Sequence, residues 1–261
     1  MENRIFVLDV NGNVKAGLVG TDEVVLTWKG EYEMGDVILM EFAEPGYYMI
    51  QVDDCIEESL VYMTKKELRY PVLFEEKKKA HNPKAFMGDR HYLTLRPARE
   101  WELGYRNLAK NPADQHEVEG CYPHAAANVE TRGESVFAAR NAIDGMKGVR
   151  SHGRWPYSSW GINQQEDAEF TLEFGRPVDF DKIVIYTRAD FPHDNWWEEA
   201  TLTFSDGTSE VIKLTKSYDP QPVAIERKGI MWLKFGNLIK ADDPSPFPAL
   251  TQIEVYGTDA E

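Results

Sequence analysis

The stretch that decides the fold is Glu169-Phe170-Thr171-Leu172-Glu173-Phe174-Gly175. Its apolar and polar residues alternate, so Phe170, Leu172 and Phe174 would face one side of an extended strand. The glutamates and the threonine would face the other side. Such alternation is typical of antiparallel sheets with one buried and one solvated face. The stretch therefore predicts a half-buried strand in an antiparallel sheet.

Similar short patterns continue outward along the whole chain, and turn residues such as Glu44-Pro45-Gly46 and Ser205-Asp206-Gly207 separate them. No long amphipathic helix pattern interrupts the series. The predicted strands lie at 24–28, 37–42, 47–52, 59–63, 91–96, 183–188, 201–204, 231–235 and 252–257. Many short strands at close spacing predict an all-β protein, built as two packed β-sandwich (jelly-roll) domains.

The polar segment 111–117 divides these strands into two groups. It contains Pro112 and little apolar sequence, which is typical of a domain boundary. We therefore predict an N-terminal β-sandwich domain over residues 1–110 and a second domain over residues 117–261.

Composition limits the partners of this chain of 261 residues. Its 44 acidic and 29 basic residues give a net charge of −15, which disfavours nucleic acid as a partner because phosphate backbones would be repelled. No apolar run is long enough to predict a membrane span. No signal-peptide pattern is present, so we expect a cytoplasmic protein, or an extracellular one if a leader has been removed. The oligomeric state cannot be read from the sequence.

Several signatures recur in a characteristic order over residues 121–257. They include Asn141-Ala142-Ile143-Asp144-Gly145, a Trp-rich loop, and the closing Gln252-Ile253-Glu254-Val255-Tyr256-Gly257. This order resembles the discoidin, or coagulation-factor C-type, domains and is similar to the family 32 carbohydrate-binding modules. The resemblance implies a galactose-binding-domain-like jelly roll that binds a carbohydrate ligand. The N-terminal half resembles no named family.

Sugar recognition needs a flat aromatic surface and fixed polar groups that bond to hydroxyls. The segment 188–197 offers both within one predicted loop, and we expect Arg188, His193, Trp196 and Trp197 to contact a sugar. The resemblance implies an Arg at the end of the preceding strand, which Arg188 matches. The alternative is that the tryptophans only seal the end of the sandwich.

A second aromatic and polar cluster occupies residues 151–160. We predict His152 and Arg154 as contacts at the rim of the sugar site. Trp155 either faces the ligand or is the buried structural tryptophan that the resemblance implies. Trp160 is the other candidate for that structural role.

The resemblance also implies a structural calcium ion, held by Asp144 and Glu254, which match the family positions. Carboxylate oxygens beside a tight glycine turn suit Ca²⁺. The alternative is that Asp144 makes a local turn and that Glu254 lies exposed.

No catalytic motif appears in the sequence, and its many carboxylates make any single acid pair uninformative. The leading interpretation is a non-catalytic carbohydrate-binding protein that recognises a sugar through an aromatic and polar loop cluster. The alternatives are a sugar-active enzyme with a site between the domains, or a protein–protein adhesion module.

Overall fold

The computed structural model describes residues 2–260. Strands make up 46% of the chain and helices 7%, so the prediction of an all-β fold is confirmed. Within residues 2–260, no helix is both long and apolar enough to cross a membrane. Helical structure in this range consists of α1 (Glu75–Lys78) and short 3₁₀-helices at Glu100–Leu103, Thr131–Gly133, Ser135–Phe137 and Ala139–Ile143.

In chain order the strands are β1 (Asn3–Leu8), β2 (Val14–Gly20), β3 (Val24–Lys29), β4 (Val37–Glu41), β5 (Gly46–Gln51), β6 (Ser59–Met63), β7 (Glu67–Pro71), β8 (Arg90–Pro97), β9 (Arg106–Asn107), β10 (Cys121–Tyr122), β11 (His124–Ala127), β12 (Trp160–Gly161), β13 (Phe170–Thr187), β14 (Trp197–Phe204), β15 (Ser209–Lys213), β16 (Gln221–Lys240) and β17 (Ala249–Asp259).

Two antiparallel sheets form the N-terminal half, with the strand orders β2-β1-β4-β7 and β10-β6-β5-β8-β3. Alternate side chains of both sheets enter one apolar core. Ile5 of β1 lies opposite Met40 of β4, and both side chains are fully buried. Burying one aliphatic side chain of this size contributes about 1.5–3 kcal/mol to stability. A shift of the register by one residue would turn these side chains to the other face of the sheet and lose this contribution.

One eight-stranded antiparallel sheet forms the C-terminal half. Its order is β12-β17-β13-β16-β14-β15, with β11 added beside β13 and β9 beside β17. Phe170, Leu172 and Phe174 are fully buried in a second apolar core, as their alternation predicts.

The two strands predicted near 169–175 and 183–188 form the single strand β13. Its pairing register to β16 shifts between Glu173 and Val178, so the strand is irregular there. Gly175 lies in this irregular stretch with φ 70°, and a Cβ atom there would be 2.3 Å from Cγ of Tyr122. Glycine therefore permits both the backbone conformation and the close packing.

The chain crosses between the two cores more than once around the predicted boundary. Leu108 is buried in the second core, Val118 and Cys121 are buried in the first, and Ala125 is again in the second. The strands follow the same path, because β9 pairs with β17, β10 with β6 and β11 with β13. The division at 110–117 stays a prediction, and the segment between the cores contributes side chains to both.

Candidate functional site

A cavity of about 360 Å³ opens at one end of the C-terminal sheet. Thr187, at the end of β13, pairs with Leu250 near the start of β17, and Gly161 of β12 pairs with Ala249. Three adjacent strands therefore bring their loops to one place. The volume falls within the usual range of small-molecule sites. The cavity is lined by Thr131, Arg132, Phe137, His152, Gly161, Ile162, Asn163, Gln164, Arg188, His193, Pro246, Phe247, Pro248 and Ala249.

Gly161 lets one wall of the cavity approach the sheet. A Cβ atom at this position would lie 2.7 Å from Oγ1 of Thr131 and 3.2 Å from Cβ of Phe137. Any larger residue would push the 131–137 segment away from β12. The glycine thus places the Phe137 ring at the cavity.

Arg188 is buried directly after β13 and lines the cavity. Its Nη2 donates to Oδ1 of Asp194 at 2.8 Å and its Nε donates to Oδ2 at 3.0 Å. Its Nη1 donates to Oγ of Ser159 at 3.2 Å, and its Cζ lies 5.7 Å from the centroid of the Phe137 ring. The guanidinium is therefore fixed in place and its charge is already neutralised.

Two histidines and a phenylalanine stack in a row along the cavity. The rings of His152 and His193 are 3.8 Å apart and inclined by only 4°. The ring of His193 continues the stack onto Phe247, at 5.4 Å and 17°. Nδ1 of His193 lies 2.9 Å from Oδ1 of Asp194, and Nδ1 of His152 lies 2.5 Å from Oδ2 of Asp190. The row combines an aromatic face with polar ring edges, which is what a sugar ring requires.

Strained backbone also clusters at this cavity. Arg132, Asn163 and Gln164 have φ values of 54°, 50° and 59°, and all three line the cavity. Non-glycine residues adopt this left-handed region at a cost of roughly 1–3 kcal/mol each, and such residues concentrate at ligand sites. The clustering of these residues is a reason to choose this cavity as the candidate site.

The structure separates the tryptophans predicted for the site. Trp197 is fully buried in the second core, with its ring 5.5 Å from that of Phe235. A fully buried ring has no free face for a ligand, so Trp197 is a core residue and not the sugar contact that the sequence predicted. Trp196 lies outside the cavity lining, where its ring packs edge-on against Phe191 and under Nζ of Lys216 at 4.7 Å.

The residues predicted as site residues in the 151–160 loop also lie in different parts of the molecule. His152 lines the cavity. Trp155 lies elsewhere, beside a small cavity between the two halves, where its backbone N donates to the carbonyl of Lys79. Arg154 is exposed and does not line the cavity. Trp160 is the fully buried structural tryptophan, and its Nε1 donates to the carbonyl of Val129 at 2.9 Å.

Asp144 does not fit a calcium ion, because hydrogen-bond donors surround its carboxylate. Oδ1 accepts from the backbone N of Met146 at 2.7 Å and from Nε2 of Gln252 at 2.8 Å, while Oδ2 lies 3.6 Å from Nη1 of Arg140. Burial raises the pKa of Asp144 to about 7, against the opposing effect of Arg140. The bond from Met146 closes a local turn at Asp144, which is the alternative to a calcium ligand that the sequence allowed.

Hydrogen-bond donors also surround the carboxylate of Glu254. Its carboxylate lies 2.5 Å from Nζ of Lys147 and accepts from the hydroxyls of Tyr186 and Tyr256 at 3.3 and 3.2 Å. Calcium requires a shell of oxygen acceptors, whereas a cation already occupies this carboxylate. Glu254 is also buried rather than exposed.

Sequence reasoning missed several residues of the cavity. Phe137 ends a short 3₁₀-helix, while Asn163, Gln164 and Phe247 belong to loops, and the strand pattern singled out none of these segments. One signal was available, since Phe247 lies between Pro246 and Pro248 in a loop. Each proline fixes its own φ angle, so the backbone on both sides of Phe247 is restricted, and the Phe247 side chain is exposed.

A larger cavity of about 720 Å³ lies between the two halves, and Glu57, Glu58 and Glu102 are among its lining residues. Glu102 is bound in a bidentate pair by Arg96 at 2.6 and 2.8 Å, which lowers its pKa to about 2. Glu57 lies 2.6 Å from Nζ of Lys110. Glycoside hydrolysis needs a carboxylic acid with a raised pKa, and Glu102 does not meet this condition.

The chain is similar in structure to lectin domains and carbohydrate-binding modules. The lectin domain of Lectinolysin in complex with Lewis B antigen matches at 16% identity and a TM-score of 0.44, covering 59% of this chain and 97% of that one. A fucose-binding module of Streptococcus pneumoniae matches at 15% identity and a TM-score of 0.42, covering 59% and 99%.

The family 32 carbohydrate-binding module of C. perfringens NanJ, in complex with galactose, matches at 16% identity and a TM-score of 0.36, covering 51% of this chain and 91% of that one. Similarity at this level concerns the fold and assigns no ligand to this chain. No family model and no curated protein matches the sequence.

Proposed function

We propose that this protein binds carbohydrate, without catalysis, in the cavity at the end of its C-terminal sheet. The observation that carries the proposal is the stacked row of His152, His193 and Phe247 beside the fixed guanidinium of Arg188. An apolar ring face can cover the C–H face of a sugar, while imidazole edges and guanidinium donors bond to its hydroxyls.

Recognition in this site involves binding steps only. Asp194 holds Arg188 and His193 together, so the polar groups are oriented before the ligand arrives. Groups that are already ordered lose little conformational entropy on binding, which favours affinity. The cation of Arg188 is paired with a buried carboxylate, so hydrogen bonding rather than net charge would select the ligand.

A glycan-array screen of the full chain, followed by calorimetric titration of the best glycan, tests the proposal. Phe247→Ala removes one apolar face and should weaken binding by roughly ten- to a hundredfold, corresponding to about 1–3 kcal/mol. Trp196→Ala is the matched control, because this partly buried aromatic residue lies outside the cavity lining. Both variants should keep the wild-type thermal midpoint.

Two results would contradict the proposal. Either no glycan binds the folded wild-type chain, or Phe247→Ala binds the selected glycan as tightly as Trp196→Ala does. The second result would place the sugar site elsewhere on the molecule.

A further inference from the structure

Three side chains that commonly bind metals converge at the edge of this cavity. His152, Asp190 and His193 each offer a ligand atom, and these atoms all lie within 4.8 Å of one another. We propose that they bind a divalent transition-metal ion, with Zn²⁺ as the representative. This proposal does not rest on the proposed sugar binding, because zinc binding can be measured without any sugar present.

The donor set decides the class of metal. Two imidazole nitrogens and one carboxylate oxygen suit Zn²⁺ and its neighbours, whereas Ca²⁺ and Mg²⁺ prefer oxygen ligands alone. The side chains of His152, Asp190 and His193 are 40%, 28% and 41% exposed, so an ion can reach them from solvent. Three protein ligands would leave one position for water.

The carboxylate of Asp194 orients the ring of His193 as a metal site requires. Nδ1 of His193 lies 2.9 Å from Oδ1 of Asp194, and Asp194 is itself fixed by Arg188. A histidine that donates its Nδ1 proton to a carboxylate presents Nε2 as an unprotonated donor to a metal. Asp194 thus supports His193 from behind without competing for the ion.

The backbone holds the two loops close together before any ion binds. The N of Asp194 donates to the carbonyl of Asp190 at 3.0 Å, closing the turn that carries Asp190 and His193. The N of Ala189 donates to the carbonyl of Val149 at 2.8 Å, which joins this turn to the loop of His152. The backbone of the two loops therefore needs little ordering on metal binding.

One side chain must move for all three ligands to engage. Nitrogen lone pairs lie in the ring plane, and the parallel rings of His152 and His193 cannot both point at an ion between them. The exposed ring of His152 can turn out of the stack, after which Asp190 is free to accept the ion. The ion would therefore link the loop of His152 to the loop of Asp190 and His193, and its binding requires one rotamer change.

Calorimetric titration of the untagged, chelator-treated full chain with ZnCl₂ tests the proposal, with CaCl₂ titrated in parallel. We expect one zinc ion per chain, no calcium heat, and at least tenfold weaker zinc binding in His152→Ala and in His193→Ala. His116→Ala is the matched control, because its imidazole also pairs with a carboxylate, that of Glu130, but lies outside the cavity. This control should bind zinc like the wild type.

Co²⁺ spectra and thermal midpoints together distinguish the loss of a metal ligand from misfolding of the variant. Co²⁺ bound to imidazole and carboxylate ligands gives visible absorption bands, which should appear in the wild type and in His116→Ala and disappear in both cavity variants. Unchanged thermal midpoints would show that the variants are folded. The proposal is overturned if the wild type binds no zinc, or if either cavity variant binds it as tightly as His116→Ala.

Discussion

The guanidinium of Arg188 and the carboxylate of Asp194 form a bidentate pair at 2.8 and 3.0 Å, and the two side chains are 4% and 0% exposed. The same carboxylate accepts from the backbone N of Asp190 at 2.9 Å and contacts Nδ1 of His193. One buried ion pair therefore fixes both the shape of the loop and the orientation of the groups that face the cavity.

Arg188→Ala should destabilise the protein by about 3–5 kcal/mol, because it leaves the charge of Asp194 buried without its partner. Denaturant unfolding measures this change. Arg154→Ala is the control, since Arg154 is exposed, and it should change stability by no more than about 0.5 kcal/mol. An Arg188→Ala variant as stable as this control would show that the pair is dispensable for folding.

A fragment spanning residues 105–261 should unfold cooperatively and at a higher temperature than a fragment spanning 117–261. The longer fragment keeps β9 and the buried Leu108, which belong to the second core. Removing a buried leucine side chain alone costs roughly 2–5 kcal/mol. Calorimetry of both fragments measures the difference. Absence of any cooperative transition in the longer fragment would count against the two-domain prediction.

His81 should make stability fall as the solution is acidified. Its ring is buried, its Nε2 lies 3.1 Å from Nε2 of Gln115, and its Nδ1 has no hydrogen-bond partner among residues 2–260. Burial, assisted by the nearby charge of Arg140, holds the pKa of His81 well below its usual value. The folded protein therefore keeps His81 neutral under conditions in which the unfolded chain takes up a proton.

The sign of this effect follows from proton linkage. Below about pH 6.5 the unfolded state binds one more proton at His81 than the folded state, so the free energy of unfolding falls by up to about 1.4 kcal/mol per pH unit. His81→Gln should lack this contribution. Unfolding curves of wild type and variant at pH 7.5, 6 and 5 measure it, and parallel pH dependences for the two proteins would contradict the prediction.

Calcium should not change the thermal midpoint. A ligand that binds only the folded state must raise the midpoint as its concentration increases. Arg140 and Lys147 already face the carboxylates of Asp144 and Glu254, so no such rise is expected when CaCl₂ is added to chelator-treated protein. MgCl₂ at equal ionic strength is the control. A calcium-specific, saturable rise that Asp144→Asn abolishes would restore the calcium site.

The candidate site was only partly predictable. His152, Arg188 and His193 were expected at the site and do line one cavity, since each lies in a loop after a strand or turn that the sequence marks. Whether they bind sugar stays a prediction. Trp196 and Trp197 look equivalent in sequence, yet one is partly exposed and the other fully buried, because adjacent residues of an extended chain face opposite sides.

The sequence by itself determined which side chains of the 169–175 strand face the core, because the two-residue alternation of Phe170, Leu172 and Phe174 is a local property of the extended chain. It did not single out the strands β1, β2 and β7. Only the tertiary structure decided which loops share a cavity and which charges meet. Phe247 reaches His193 across more than fifty residues, and Arg140 faces Asp144 inside the fold. Such contacts depend on strand order and on burial, and neither is encoded in any single stretch of sequence.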